Sequence, residues 1–371
     1  MRVPVLLTVP QLTSTTSPYR EMMAIAKYLS RQDFELTICS LRDIGYAEAA
    51  PELRELGVRC FVAPFRPAGR SIRHFAASLR QQAVIDRFGP FRIQHSLDFT
   101  SLPFEAVMAR ARSRTYIYTQ RNMNEKGHPN LLKAKIRLSA SIIAPSDATQ
   151  ELLLTLGAPP DKVRRVHRGI DTEEIDSQLP APIRRQPGRV LAVGHIQKRK
   201  RHEDAIRAVA LVARDFPHVR LWIAGCVVDP DYYEDLQRLT QNLGLDDKVE
   251  FLGLRNDVLA LMGSAEVLLH CAESEAFGWV VAEAMAAGLP VIASAVDGPK
   301  ENIVSGRTGF LAPKGDVAAY ATALRTILQQ PELARRMARE ARSRVEEKLS
   351  VKTMAAEIAG LYRELASPNG H

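Results

Sequence analysis

Short apolar runs alternate with amphipathic stretches from the first residues onward. Met1 to Pro10 holds a brief apolar run that reads as a first buried strand. After a turn, Tyr19, Met22, Met23, Ala26 and Leu29 recur at the spacing of one helix face. Further strands are expected at Phe34 to Cys39, Arg59 to Ala63, Phe91 to Gln94, Thr115 to Thr119 and Ser141 to Ala144, with helices between several of them. This pattern predicts an α/β fold with a mainly parallel sheet.

Three prolines and a glycine interrupt any period between Asp176 and Gly188, just before a strong strand at Arg189 to Val193. The second half then predicts a helix (204–213), strand (219–224), helix (232–243), strand (249–251), helix, strand (267–270), helix (279–287) and strand (291–293). Three helices close the chain, the last over about 351–365. A chain of 371 residues is long for one core. The expected organisation is an N-terminal domain (1–175), a linker (176–188), a C-terminal domain (189–350) and a final helix (351–371) packing back on the first domain. Two doubly wound domains would face each other across a cleft lined by the carboxyl ends of their strands, where such sheets bind ligands.

Composition narrows the setting. Cysteines 39, 60, 226 and 271 match neither a Cys-x-x-Cys motif nor a dense disulfide framework, so a reducing cytoplasm is expected. No secretory leader is recognisable at Met1 to Pro10. The apolar stretch Ala276 to Val296 carries Glu283, Gly288 and Pro290, which argue for a buried helix and strand over a membrane span. Charge is uneven: residues 1–170 hold 25 basic against 14 acidic side chains, a net +11, whereas the remainder is net −3. The excess is densest from Arg59 to Arg92, where seven arginines meet one acid, Asp86. A solvated helix face, docking on an anionic membrane surface and nucleic-acid binding are the three readings, in that order. The third lacks the basic-plus-aromatic motifs of known modules.

The chemistry concentrates in the second half. No two of the 21 glycines are two positions apart, so neither G-x-G-x-x-G nor a P-loop is present. Glu275 and Glu283 instead lie eight residues apart across a helix start. Were the whole interval helical, their backbones would be roughly 12 Å apart, too far to act as a glycosidase pair and suited to gripping two ends of one ligand. Between them, the amides near Ala276, Phe277, Gly278 and Trp279 form a helix N-terminus that favours phosphate. The basic loop Gly194 to Arg201 leaves the strand that opens the second domain. Lys200 there could neutralise a departing diphosphate without a metal.

These segments resemble the family-4 retaining glycosyltransferases of GT-B architecture, strongly from about Val190 to Leu365 and more weakly before it. The resemblance implies that Glu283 holds a donor ribose, Glu275 contacts the transferred sugar, and Lys200 binds the diphosphate. His195 stands where the family has an arginine. Backbone contacts to the base would fall near Leu254 and Arg255, within VEFLGLRNDV. VDGPKENIVSGRTGFLAPKGD (296–316) and RVHRGIDTEEI (165–175) also match, with Arg168 replacing an asparagine. The implied activity is retaining transfer of a sugar from a nucleotide sugar, UDP favoured and GDP second, to a hydroxyl of a glycan or lipid-linked acceptor. No cofactor or metal is implied beyond that co-substrate, and peripheral attachment to the inner membrane face is compatible with it. A sugar-nucleotide epimerase of related shape is the alternative.

The first half departs more from the family. Thr13, Ser14, Thr15 and Thr16 replace a glycine-rich phosphate loop. Gln120 and Arg121 stand where a histidine near the sugar is common, and His95, at the end of the preceding strand, is a substitute candidate. Asp229 and Asp231 resemble a metal motif, but Asp231 reads better as a helix N-cap.

Overall fold

The computed structural model describes residues 2–13, 16–64, 72–97, 100, 102–120 and 129–367, with the backbone alone at 17, 72–78 and 129. Its contacts separate two units: Met1–Gly169 with Val351–His371, and Ile170–Ser350.

The first unit holds β1 (Val3–Val9), β2 (Phe34–Ser40), β3 (Arg59–Val62), β4 (Ile93–Ser96), β5 (Thr115–Thr119), β6 (Ser141–Ala144) and β7 (Val163–Arg165). They form one sheet in the order β3-β2-β1-β4-β5-β6-β7, every pair parallel. The second holds β8 (Arg189–Val193), β9 (Arg220–Ala224), β10 (Val249–Gly253), β11 (Val267–His270), β12 (Val291–Ser294) and β13 (Phe310–Ala312). Their order is β10-β9-β8-β11-β12-β13, again all parallel. Central strands such as β6, β11 and β12 are buried at every residue, because helices cover both faces of a parallel sheet. That is why they appear as apolar runs without alternation. In each sheet the strand order reverses direction at one place, between β1 and β4 and between β8 and β11. A crevice opens at the carboxyl ends of the strands flanking such a reversal.

Three features differ from the sequence reading. Strand β4 begins at Ile93, two residues later than expected, since Arg92 is exposed and its amide donates to the Pro4 carbonyl. His95 therefore lies inside the strand. The edge strands β7 and β13 have three residues each, too few to carry a pattern. Finally, helix Thr172–Gln178 and the segment after it belong to the second unit. Ile170 and Ile175 pack in that unit's core with Ala284 and Val345. Arg185, within the expected linker, donates to the carbonyls of Met262 (2.8 Å), Ala265 (2.9 Å), Ala287 (3.2 Å) and Gly288 (2.7 Å).

The last helix, Val351–Ala366, places Met354, Ile358, Leu361 and Tyr362 in the core of the first unit beside Phe34. Among the described residues no helix is long and apolar enough to cross a membrane.

Candidate active site

The second sheet's reversal point brings two loops together: Gly194–Arg201 after β8 and Cys271–Gly278 after β11. Local chemistry shapes the first. A Cβ on Gly225, just after β9, would lie 2.0 Å from the Gly194 carbonyl oxygen, so the two backbones touch where no side chain fits. The stem of Lys200 lies over Gly194, whose Cβ would meet Lys200 Cδ at 3.3 Å. The chain then makes a 3₁₀ turn at Lys198–Lys200 and passes Arg201 in the left-handed region (φ 50°). Arg201 Nε and Nη2 donate to the buried Asp204 carboxylate at 2.6 and 3.1 Å. Buried His202 places Nε2 3.2 Å from the Gly194 carbonyl and 3.3 Å from that of His195. Burial pushes its imidazole down to about 4, so a neutral ring pins the loop.

Lys200 Nζ reaches Glu275 Oε2 at 2.5 Å. Beside it, Arg199 Nη1 donates to the Ser274 carbonyl (2.6 Å), and the Glu273 amide donates to the Arg199 carbonyl (2.9 Å). Burial, the largest single influence, opposes ionisation of Glu275, but Lys200 together with its other basic neighbours holds the carboxyl below its ordinary 4.5. The backbone of Glu275 is fixed at both ends: its amide donates to Asp297 Oδ2, and its carbonyl accepts from the Gly298 amide, both at 2.9 Å. Asn302 Nδ2, fully buried, donates to the Phe277 carbonyl at 2.6 Å. Gly278 turns through φ 81° and opens helix Trp279–Ala286. The first turn of any helix presents amides with no intrahelical acceptor.

Only residues 279–286 of the interval between the two glutamates are helical, so the all-helix separation does not apply. Glu283 is half-buried on the second turn of that helix, and Ala276 is half-buried before it. Phe277 is buried edge-on to the Trp279 ring, with centroids 5.5 Å apart. His195 is exposed, with Nδ1 2.9 Å from Cys226 Sγ. Partial burial, with Lys200 and Arg199 nearby, lowers its pKa below the ordinary 6.5, which favours the neutral ring. Leu254 and Arg255 are exposed at the carboxyl end of β10, where Arg255 Nε and Nη2 donate to Asp257 at 2.8 and 2.6 Å.

In the first unit, His95 has no solvent exposure. Its Nδ1 lies 2.7 Å from the Tyr362 hydroxyl and its Nε2 2.9 Å from Thr119 Oγ1. Both nitrogens are used in joining the last helix to the sheet, which corrects the expectation that this ring faces the transferred sugar. Gln120 is buried after β5, and its amide donates to the Ile143 carbonyl at 2.9 Å. Thr16 Oγ1 donates to the Thr13 carbonyl at 2.8 Å, tightening the loop after β1. Ser14, Thr15 and Arg121 lie outside the described residues. Asp229, not Asp231, caps the helix Pro230–Asn242, accepting from the Tyr232 amide at 3.1 Å. Among the described residues no group of three His, Cys, Asp or Glu side chains could hold a metal ion.

Sequence reasoning passed over His202, His270, Asp297 and Asn302. A signal existed for His270, which ends a strand five residues before Glu275. Asp297 and Asn302 fall inside a matched segment, but their partners are more than 20 residues away in sequence.

Two parallel doubly wound units, with a cation and a carboxylate meeting at the reversal point of the second, define a two-domain α/β protein of GT-B fold. The chain belongs to the family-4 type glycosyltransferases: residues 21–174 match Glycosyltransferase Family 4 and residues 175–344 match Glycosyl transferases group 1. It is 32% identical over 236 residues to a glycogen synthase of Mycobacterium tuberculosis, covering 63% of this chain and 56% of that protein. To a D-inositol 3-phosphate glycosyltransferase of Streptomyces scabiei it is 33% identical over 252 residues, 64% of this chain and 55% of the other. The chain thus spans little more than half the length of these curated relatives. The Anabaena protein HepE, solved in complex with UDP and glucose, superposes with a TM-score of 0.82 at 21% identity, covering 98% of this chain and 100% of that one.

Proposed function

We propose that this chain is a retaining glycosyltransferase that takes a sugar from a nucleotide diphosphate sugar, UDP favoured and GDP second, without a metal. The acceptor is a hydroxyl of a glycan or lipid-linked molecule. The observation that carries the reading is Lys200 Nζ held 2.5 Å from Glu275 Oε2 at the reversal point of the second sheet, four residues before the helix that starts at Trp279. The family membership and the UDP bound by HepE support the choice of donor.

In this reading the bond between the anomeric carbon and the diphosphate oxygen breaks. Lys200 and the amides at Phe277 and Gly278 stabilise the charge left on the diphosphate, as preorganised donors do in a water-poor site. His195, whose pKa partial burial lowers, contributes a hydrogen bond. Glu283 holds the ribose, Glu275 the hydroxyls of the sugar, and the backbone at Leu254 and Arg255 the base. The acceptor hydroxyl attacks the same face that the diphosphate leaves, and its proton passes to a leaving phosphate oxygen. Gln120 faces the reacting sugar, and Thr13 and Thr16 serve as an acceptor or phosphate loop in this scheme. His95 has no part in it, since both its ring nitrogens are committed in the interior.

UDP- and GDP-sugars screened by thermal shift identify the donor, because a ligand bound well below its working concentration raises the melting temperature. Lys200→Ala and Glu283→Ala are each expected to lower transfer by more than about tenfold, the scale of losing one charged contact to the transition state. Transfer surviving both changes within that factor would disprove the site assignment. Interconversion of the donor alone, without acceptor, would favour the epimerase.

A further inference from the structure

Glu275 has another neighbour that the scheme above leaves idle. His270 ends β11 and is 4% exposed. Its Nε2 lies 3.9 Å from Glu275 Oε2, the same oxygen that holds Lys200. That is beyond hydrogen-bond reach, and among the described residues this buried nitrogen has no hydrogen-bond partner. Buried polar atoms are nearly always paired, so a lone one facing a site residue calls for an explanation.

We infer that His270 is a positioning residue whose Nε2–H becomes a hydrogen-bond donor to Glu275 when a diphosphate engages Lys200. The inference rests on the donor reading above. Without ligand, Glu275 is balanced by the Lys200 ammonium. A diphosphate on that ammonium brings further negative charges beside Glu275 and divides the attraction of the lysine between two anions. A carboxylate largely shielded from water then needs a new donor. Arg199 Nη1 is also 3.9 Å away, but it already donates to the Ser274 carbonyl. His270 is aimed at the right oxygen with its capacity unspent, and closing to bonding distance takes a shift of about 1 Å. Burial holds its imidazole down to about 3, so the ring donates as a neutral group and adds no cation to compete for the diphosphate. Glu275 would stay oriented toward the sugar instead of following Lys200 or swinging to solvent.

The test measures UDP and GDP binding to the full chain by calorimetry in the parent, His270→Leu, His270→Gln, Glu275→Gln and Glu275→Gln/His270→Leu proteins. The glutamine amide nitrogen falls near the place of Nε2. His270→Leu should weaken binding about fivefold or more, and His270→Gln should recover it to within about twofold, as expected for loss and return of one hydrogen bond to a charge. With Glu275→Gln already present, His270→Leu should cost less than about twofold, since interacting residues couple in a double-mutant cycle. Equal losses in both backgrounds, or no loss in His270→Leu, overturn the inference while leaving the donor reading intact. A parent protein that binds neither nucleotide overturns both. If His270→Leu does not fold, His270→Asn, whose amide stops near the Nδ1 position, takes its place with the same expected loss.

Discussion

Gly298→Ala probes how rigidly the site loop is held. An alanine Cβ there would sit 2.4 Å from the Phe277 Cα and carbonyl oxygen and 2.5 Å from its carbonyl carbon. Ordinary contact begins at 3.4 Å, so one backbone must retreat by about 1 Å, and no rotamer change can relieve a clash between main chains. The same glycine donates its amide to the Glu275 carbonyl, and its neighbour Asp297 accepts from the Glu275 amide. The displacement therefore passes directly to Glu275 and to the helix start beyond it. Overpacking of this kind costs about 1–3 kcal/mol of stability. A misplacement of about 1 Å near the reacting groups costs about 100-fold in rate. Steady-state transfer over a donor series, run beside thermal melts, reads both quantities. Gly360→Ala is the control: nothing lies within 4 Å of its Cβ, and it is exposed within the last helix. It should gain roughly 0.5–1 kcal/mol and leave transfer unchanged. Gly298→Ala retaining transfer within about threefold at an unchanged melting temperature would refute the idea that this contact positions the loop.

Two further outcomes follow from burial and charge. His202 and His270 are held at about 4 and about 3 against an ordinary 6.5, so between these values the unfolded chain binds more protons than the folded one. Stability is complete above 6.5 and should fall toward pH 4, by up to about 1.4 kcal/mol per pH unit for each ring. Glu275, held below its ordinary 4.5, adds a loss in the same direction at more acid pH. Urea titrations from pH 7 to 4.5 should show this slope, reduced in His202→Gln; a flat profile would contradict the burial of both rings. The Arg59 to Arg92 stretch is expected to dock on anionic lipid: Arg80, Arg87 and Arg92 are exposed, while Arg59 pairs with Glu35 at 2.8 Å. Co-sedimentation with phosphatidylglycerol vesicles should weaken with added salt, and binding indifferent to salt and lipid charge would count against docking.

Much of the second unit is legible in the amino-acid sequence. The strands at Arg189–Val193 and Val267–His270 match the apolar runs residue for residue, as do Thr115–Thr119 and Ser141–Ala144 in the first unit. Such runs are short and bounded by turn residues, and these features mark them as strands where periodicity alone could not. The loops after β8 and β11 stood out because glycines, cations and acids follow buried strands there. His95 stands near the end of β4, where the pattern put it, but its burial was not legible because its ring partners, Thr119 and Tyr362, come from other elements. Asp229 and Asp231 compete for one cap, and the choice rests on where Pro230 enters the helix.

The sequence by itself determined most of the longer strands and helices, and hence that the sheets are mainly parallel and buried, because apolar runs, helical spacing and turn residues reflect the backbone geometry of a few neighbouring residues. Tertiary structure decided which side chains meet. Lys200 and Glu275 are 75 residues apart, and His95 and Tyr362 are 267 apart. Their meeting depends on the order of strands in each sheet, and that order is chosen by packing whole elements together, which no local pattern encodes.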